Sequence, residues 1–413
     1  MGIQSDDIVL IREPEKPGEP SVITVNCPDK TGLGSDLCRI IFFFGLSIVR
    51  GDVSTDGKWC YIVFWVVGKR KTRWNVLKKR ILAACPSCSS ASGFYLYDSL
   101  ENQLPKEPDL FLLKVSALDR RGLLHDVTEV LCELELTIRR VKVSTTPDGT
   151  VMDLFFITDT RELLHTRTRQ EETRDQLRAV LGDFLIDCAI ELADADVTTC
   201  SQRSSFWPPA IVGQMFSLEM PEEPEGSSKT INNLSVTMDN SLSPSHTLIQ
   251  ILCQDHKGLL YDIMRTLKDY NIQISYGRFS ASRRGKCEVD LFVMQADGNK
   301  IVDPNKQKAL SSRLRMELFR PLRVTVVSRG PDSELLVVNP VELSGKGRPL
   351  VFYDITLALK MLDTCIFSAE VGRHLIGDRE WEVYRIRLDE GDLRVVARDT
   401  IEEEVTKMLM GRE

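Results

Sequence analysis

Three short fragments hold the residue types best suited to seating a small charged molecule: Asp29-Lys30-Thr31-Gly32-Leu33, Asp119-Arg120-Arg121-Gly122-Leu123 and Asp255-His256-Lys257-Gly258-Leu259. All three read Asp-x-x-Gly-Leu and stand between an apolar run and a segment of helical period. A glycine at such a turn permits a tight bend and a close approach of ligand to backbone. The unsatisfied N–H groups at the start of the following helix attract a carboxylate. Asp29, Asp119 or Asp255 supplies the complementary acceptor for an ammonium group. The turn is therefore matched to the two ends of a free amino acid. The same residues also have a purely structural use, with Asp capping the helix or turn and Gly supplying a positive φ. Only three positions of the pattern are fixed, so its weight comes from recurrence.

Other groupings carry less chemistry. His125-Asp126 has the form of a metal-binding dipeptide, but the chain has five His in all, scattered along its length, and metal ligation needs further partners. Cys85-Pro86-Ser87-Cys88 has redox or zinc-knuckle spacing, yet no second Cys-x-x-Cys completes a four-thiolate site. Ser344-Gly345-Lys346-Gly347-Arg348 is basic and glycine-rich before a helix but lacks the Walker spacing. There is no Gly-x-Ser-x-Gly elbow and no repeated acid–base carboxylate pair. The chain is read as non-catalytic, with no metal and no cofactor.

The elements that must hold these turns recur in register. Four residues beyond each turn glycine stands an aspartate: Asp36, Asp126 and Asp262, with Asp354 as a fourth candidate. Twelve residues further on, all four segments have isoleucine, at Ile48, Ile138, Ile274 and Ile366. Eighteen residues on stand Ser54, Ser144, Ser280 and Gly372. The chain thus repeats one unit four times. In the fourth, Leu350 occupies the glycine position, which argues against a ligand there. The four aspartates fall in the first helical turn, where a negative charge meets the positive end of the helix dipole.

The second repeat shows the element order most clearly. Residues 110–117 are an apolar run that suits a buried strand. Leu123, Leu124, Val127, Val130, Leu131 and Leu134 form one helical stripe. Thr145-Thr146-Pro147-Asp148-Gly149 joins two β-rich runs as a hairpin. A second helix is expected over 167–181 and a last strand over 187–192. The order is β-α-β-β-α-β, and the fold class is α+β, four tandem ferredoxin-like modules. The modules are placed at 21–102, 110–194, 246–329 and 333–413. Residues 1–20 form an N-terminal segment, and a Pro-, Gly- and Ser-rich linker over 195–245 divides the chain into two pairs. Last strands are expected at 94–97 in the first module and 323–327 in the third. The fourth has no room for one, and residues 8–11, apolar and outside every module, are a candidate to cover the edge left open.

Composition narrows the class of function. With 42% hydrophobic and 27% charged residues the chain is that of an ordinary soluble globular protein. A net charge of −7 gives no basic footprint for nucleic acid. The N-terminus shows no signal or transit pattern, and Asp6 stands where an acylation signal requires a hydroxyl. No apolar run is long enough for a membrane span. Eleven cysteines, odd in number and mostly in apolar runs, suit a reducing compartment. The expected location is intracellular, in cytoplasm or nucleus, and basic runs such as Lys69-Arg70-Lys71 are explained by solvated surface.

Several longer stretches carry a family resemblance: residues 25–29 (Val-Asn-Cys-Pro-Asp), 122–128, 143–149 and 339–349. Together they resemble the ACT domain repeat proteins of plants, in the subgroup with a shortened fourth module, and the modules are similar to the ACT region of bacterial PII uridylyltransferase. The resemblance covers almost the whole chain. It implies a sensor or regulator of amino-acid metabolism that binds a free amino acid between paired modules, at residues 29–33, 119–123 and 255–259. It also leaves room for a protein partner or a homo-oligomer formed through module pairing. Two other readings fit the same fold: a scaffold whose modules have lost their ligand, and an RNA-binding array. The strands at 151–157 and 289–293 lack the aromatic and basic pattern expected of the latter.

Overall fold

The computed structural model describes residues 8–14, 16, 18–68, 72–86, 108–193, 209–217, 234–282, 285–329, 332–377, 379–388 and 397–411. The first module comprises β1 (Val9–Arg12), β2 (Ser21–Pro28), α1 (Leu33–Phe43), β3 (Ser47–Thr55), β4 (Trp59–Val67) and α2 (Trp74–Ala84). The second follows with β5 (Phe111–Leu118), α3 (Leu123–Glu133), β6 (Leu136–Thr145), β7 (Thr150–Asp159), α4 (Arg167–Leu181) and β8 (Leu185–Leu192), and then a short helix α5 (Pro209–Phe216). The third has β9 (Ser235–Asp239), β10 (Thr247–Gln254), α6 (Leu259–Asp269), β11 (Ile272–Ala281), β12 (Lys286–Gln295) and α7 (Pro304–Phe319). The fourth has β13 (Arg323–Arg329), β14 (Asp332–Pro340), α8 (Val351–Met361), β15 (Ile366–Ile376), β16 (Arg379–Leu388) and α9 (Arg398–Met410).

Local sequence explains each element. In β2 and β5 alternate residues are buried, as strands with one face on a core require. The stripe of α3 puts Val127 and Leu131 in the core at 0% exposure. Thr166 accepts a hydrogen bond from the Arg169 N–H to cap α4, and Asp303 accepts one from Asn305 ahead of Pro304 at the start of α7. The four register isoleucines share one position: in every module a β-bulge follows directly on Ile48, Ile138, Ile274 or Ile366. A bulge adds a residue on one side of the ladder and sharpens the twist, so the repeated isoleucine marks a bend in each second strand.

The modules assemble in an interleaved order. One compact unit holds residues 1–101 and 218–321, the other 102–217 and 322–413. In the first unit β3 pairs antiparallel with β11, giving one eight-stranded sheet of order β1-β2-β4-β3-β11-β12-β10-β9. In the second, β15 pairs with β6, and the order is β13-β14-β16-β15-β6-β7-β5-β8. Modules one and three are thus fused, as are two and four, where the linker alone implies neighbours in sequence. A strand edge carries unpaired N–H and C=O groups that any compatible edge can satisfy, so position along the chain does not select the partner.

The outer edges also depart from expectation. Residues 8–11 do not reach the fourth module; Val9–Arg12 pairs with β2 of the first. The edge of the fourth is covered by Arg323–Arg329, paired with β14 rather than closing the third module. The third takes Ser235–Asp239, from within the span read as linker, onto β10. The expected last strand at 94–97 lies outside the described residues. In the second module β8 runs antiparallel to β5 at this same edge. A strand arriving just before the first strand reaches the site as readily as one arriving after the second helix, since both positions are antiparallel neighbours of the first strand.

Deletion of residues 1–12 should therefore strip β1 from β2, with Val9 fully buried. The expected outcome is a lower melting temperature and concentration-dependent light scattering from the exposed edge. Unchanged melting and scattering would mean that β1 contributes nothing to the sheet.

Candidate ligand-binding site

All four turns place the helix-preceding residue in the left-handed region: Gly32 at φ 78°, Gly122 at 76°, Gly258 at 81° and Leu350 at 64°. Glycine adopts this conformation freely, whereas a leucine is strained there. The bend thus survives in the fourth module without its glycine. Among the described residues no side chain caps α1, α3 or α6, so the capping role open to the turn aspartates is not used. Asp29 instead accepts hydrogen bonds from the Lys30 N–H (2.8 Å) and the Thr55 hydroxyl (2.6 Å). The turn leucines, Leu33, Leu123 and Leu259, are buried in the core, which gives them a packing role.

The candidate turn residues are themselves paired, and two lysines not singled out by sequence, Lys268 and Lys360, complete the arrangement. The residue after each turn aspartate pairs with the first-turn acid of the helix: Lys30 with Asp36 at 3.7 Å, Arg120 with Asp126 at 2.5 Å, and His256 with Asp262 at 3.0 Å. The signal was present in the sequence as a Lys, Arg or His six residues before each register aspartate. A second cation arrives from the paired module. In one unit α1 packs on α6, and Lys268 Nζ donates to Asp36 at 3.0 Å. In the other α3 packs on α8, and Lys360 Nζ donates to Asp126 at 2.6 Å. Burial raises the pKa of Asp126, but hydrogen bonds from Lys360 and Arg120 outweigh it and hold this carboxyl below its usual range. Both lysine stems lie against the turn glycines: a Cβ on Gly32 would meet Lys268 at 2.9 Å, and one on Gly122 would meet Lys360 at 2.9 Å.

The sequence-predicted turns fall into different surroundings. Asp119, Arg120, Arg121, Gly122 and Leu123 line a cavity in the second unit with Lys360, Thr364 and Cys365 of the fourth module. Its closed part is small, about 30 Å³, room for a water molecule or an ammonium group rather than a whole amino acid. Arg121 donates to the Asp363 carboxylate and to its carbonyl oxygen. His125, read from sequence as half of a weak metal dipeptide, is buried with its Nδ1 3.1 Å from the Thr356 hydroxyl and its ring 4.9 Å from that of Tyr353. Burial lifts the Asp119 pKa. One lining residue, Asp153 of β7, escaped sequence reading, since an acid in an apolar strand looks like the solvated face. It is 1% exposed.

In the first unit the other two turns are more fully used by the protein itself. His256 is buried against Asp262, the Lys257 ammonium lies 5.9 Å from the Phe42 ring centre, and burial raises the Asp255 pKa. Cys85 is a free thiol, and its Cys88 neighbour lies outside the described residues.

Comparison with known proteins follows this architecture module by module. Family models match residues 11–86 (ACT domain-containing protein ACR10, N-terminal), 111–175 (ACT domain), 235–332 (ACR9-like, ACT-like domain) and 333–411 (ACT domain-containing protein ACR9, C-terminal). The chain is 62% identical to ACT domain-containing protein ACR10 of Arabidopsis thaliana over the whole of both chains. It belongs to the ACR9/ACR10 family of ACT domain-containing proteins. ACR9 of the same plant is 54% identical, again over the full length of both. A bifunctional uridylyltransferase/uridylyl-removing enzyme of Gluconobacter oxydans is 26% identical over 50% of this chain and 19% of its own. The third and fourth ACR models meet at 332/333, whereas the strand pairing carries β13 into the sheet of the fourth module. No helix among the described residues is long and apolar enough to cross a membrane.

The Lys360–Asp126 contact gives a stability test. Asp126 is depressed in the folded state, so its contribution is full above its unfolded pKa and is lost as pH falls through the lower, folded value. Lys360→Met should cost about 1 kcal/mol at pH 7, read as a lower denaturation midpoint, with the difference from wild type shrinking as the pH falls below the ordinary Asp value of 3.8. An equal difference at both pH values would contradict the ion pair.

Proposed function

We propose that this ACT chain is a non-catalytic regulator that binds a free amino acid where two of its modules pair. The observation that carries the reading is the cavity of the second unit, where the Asp119–Leu123 turn, an uncapped helix start and the Lys360 side of the partner module converge. Such a site can join a ligand to the relative position of α3 and α8, and occupancy then shifts the population of unit conformations by its differential affinity for them. Partner proteins read that shift; nucleic acid and membrane are not part of the proposal.

A second reading, a ligand-free scaffold, is favoured by one observation in the first unit. There both Asp29 oxygens are already hydrogen-bonded within the module. The two units would then divide the work, the first for assembly and the second for sensing.

Thermal denaturation of the full chain with each of the twenty amino acids tests the proposal. A ligand at a hundred times its Kd adds about 2.7 kcal/mol to the folded state, so one amino acid or a few related ones should raise the transition of one unit. Twenty unchanged transitions would leave the scaffold as the better account.

A further inference from the structure

Asp153 is at odds with its surroundings. It lies mid-strand in β7 opposite Val115, at 1% exposure, and its Oδ1 has no hydrogen-bond partner among the described residues. A buried polar atom without a partner is costly, and such groups call for a specific explanation. The other modules show that the fold does not need an acid here. At the same place in the ladder, Ile62 faces Val25, Val289 faces Ile251 and Tyr384 faces Val337. All of these are core positions for apolar or aromatic side chains, and only the second module carries a carboxyl.

The charges around the cavity bear on the role of this carboxyl. Its cations are engaged by acids of the protein: Arg120 and Lys360 by Asp126, and Arg121 by Asp363. Asp119 and Asp153 are not in any of these pairs, yet both line the cavity. Burial, and secondarily the nearby Asp119 charge, push Asp153 up to about 7. The cavity therefore presents a buried carboxyl, Asp153, and an exposed one, Asp119, which accepts a hydrogen bond from the Arg120 backbone N–H, next to a helix start with no side-chain cap among the described residues.

We propose that Asp153 and Asp119 form a two-carboxyl subsite, peculiar to the second module, that receives the ammonium group of the bound amino acid while the start of α3 faces its carboxylate. This rests on the amino-acid reading above and narrows it to one site, in the second unit. It also makes Asp153 a determinant of ligand class. An unblocked ammonium is required, and N-acetylated or deaminated analogues are refused. Affinity depends on pH, because the ligand cation is held best by ionised carboxyls. The groups facing Asp153 across the cavity are Asp119, Arg120, Arg121 and His125 of the second module and Lys360 and Cys365 of the fourth. Affinity should rise by up to about tenfold per pH unit below 7 and level off above it, as uptake of one proton competes with one ligand.

The experiment is calorimetric titration of the full chain with each of the twenty amino acids at pH 6 and pH 8, then of Asp153→Asn and Asp153→Val with whichever binds most tightly. Val is the residue the third module uses at this position, so Asp153→Val should fold and melt no lower than wild type. Both variants are expected to lose at least tenfold in affinity and to lose the pH dependence. The N-acetyl form of the same amino acid should not bind wild type. Binding by wild type that neither variant weakens would overturn the subsite while leaving the amino-acid reading intact. Flat wild-type titrations at both pH values would overturn that reading and the subsite with it.

Discussion

Each unit depends on one antiparallel contact between two second strands, β3 with β11 and β6 with β15. A single four-stranded module has its second strand at a sheet edge with unpaired backbone groups. Joining two such edges satisfies both at once and makes a continuous eight-stranded sheet. It also brings the first helices of the two modules side by side, which places a lysine of one module over the turn glycine and first-turn aspartate of the other. The candidate site exists only because of that juxtaposition. The β-bulge after the register isoleucine bends the strand that makes the contact.

The two units use this common plan differently. In the first, the contact is closed by Lys268 on Asp36 and by Phe42 packed on Tyr261, and the turn aspartate Asp29 is satisfied locally. In the second, the same ion pair is present, but Asp153 replaces an apolar core residue and Asp119 is left at the mouth of a cavity. A repeat protein can diversify in this way because the ladder tolerates a change at one position while its other modules keep the stabilising residue.

Much of this could be read from the sequence. Periodicity and the recurrence of Asp-x-x-Gly-Leu located the strands and helices of the four modules, because burial on one face imposes those periods locally. Which module pairs with which was not legible. Edge strands carry no local code, and the complementary charges, Lys268 for Asp36 and Lys360 for Asp126, are more than two hundred residues apart. For the same reason the residues of β9 read as linker and those of β13 as the last strand of the third module. The turns were found, but not the acid that distinguishes one of them. Asp153 alternates with apolar residues as any half-exposed strand residue does, and only the three-dimensional fold turns it into a buried group.

Amide hydrogen exchange of the full chain, with and without an equimolar mixture of the twenty amino acids, addresses the central claim directly. The account predicts added protection at residues 119–125 and 356–366, the two sides of the second-unit cavity, with residues 29–33 and 255–259 unchanged. Protection confined to the first-unit turns, or no change anywhere, would contradict it.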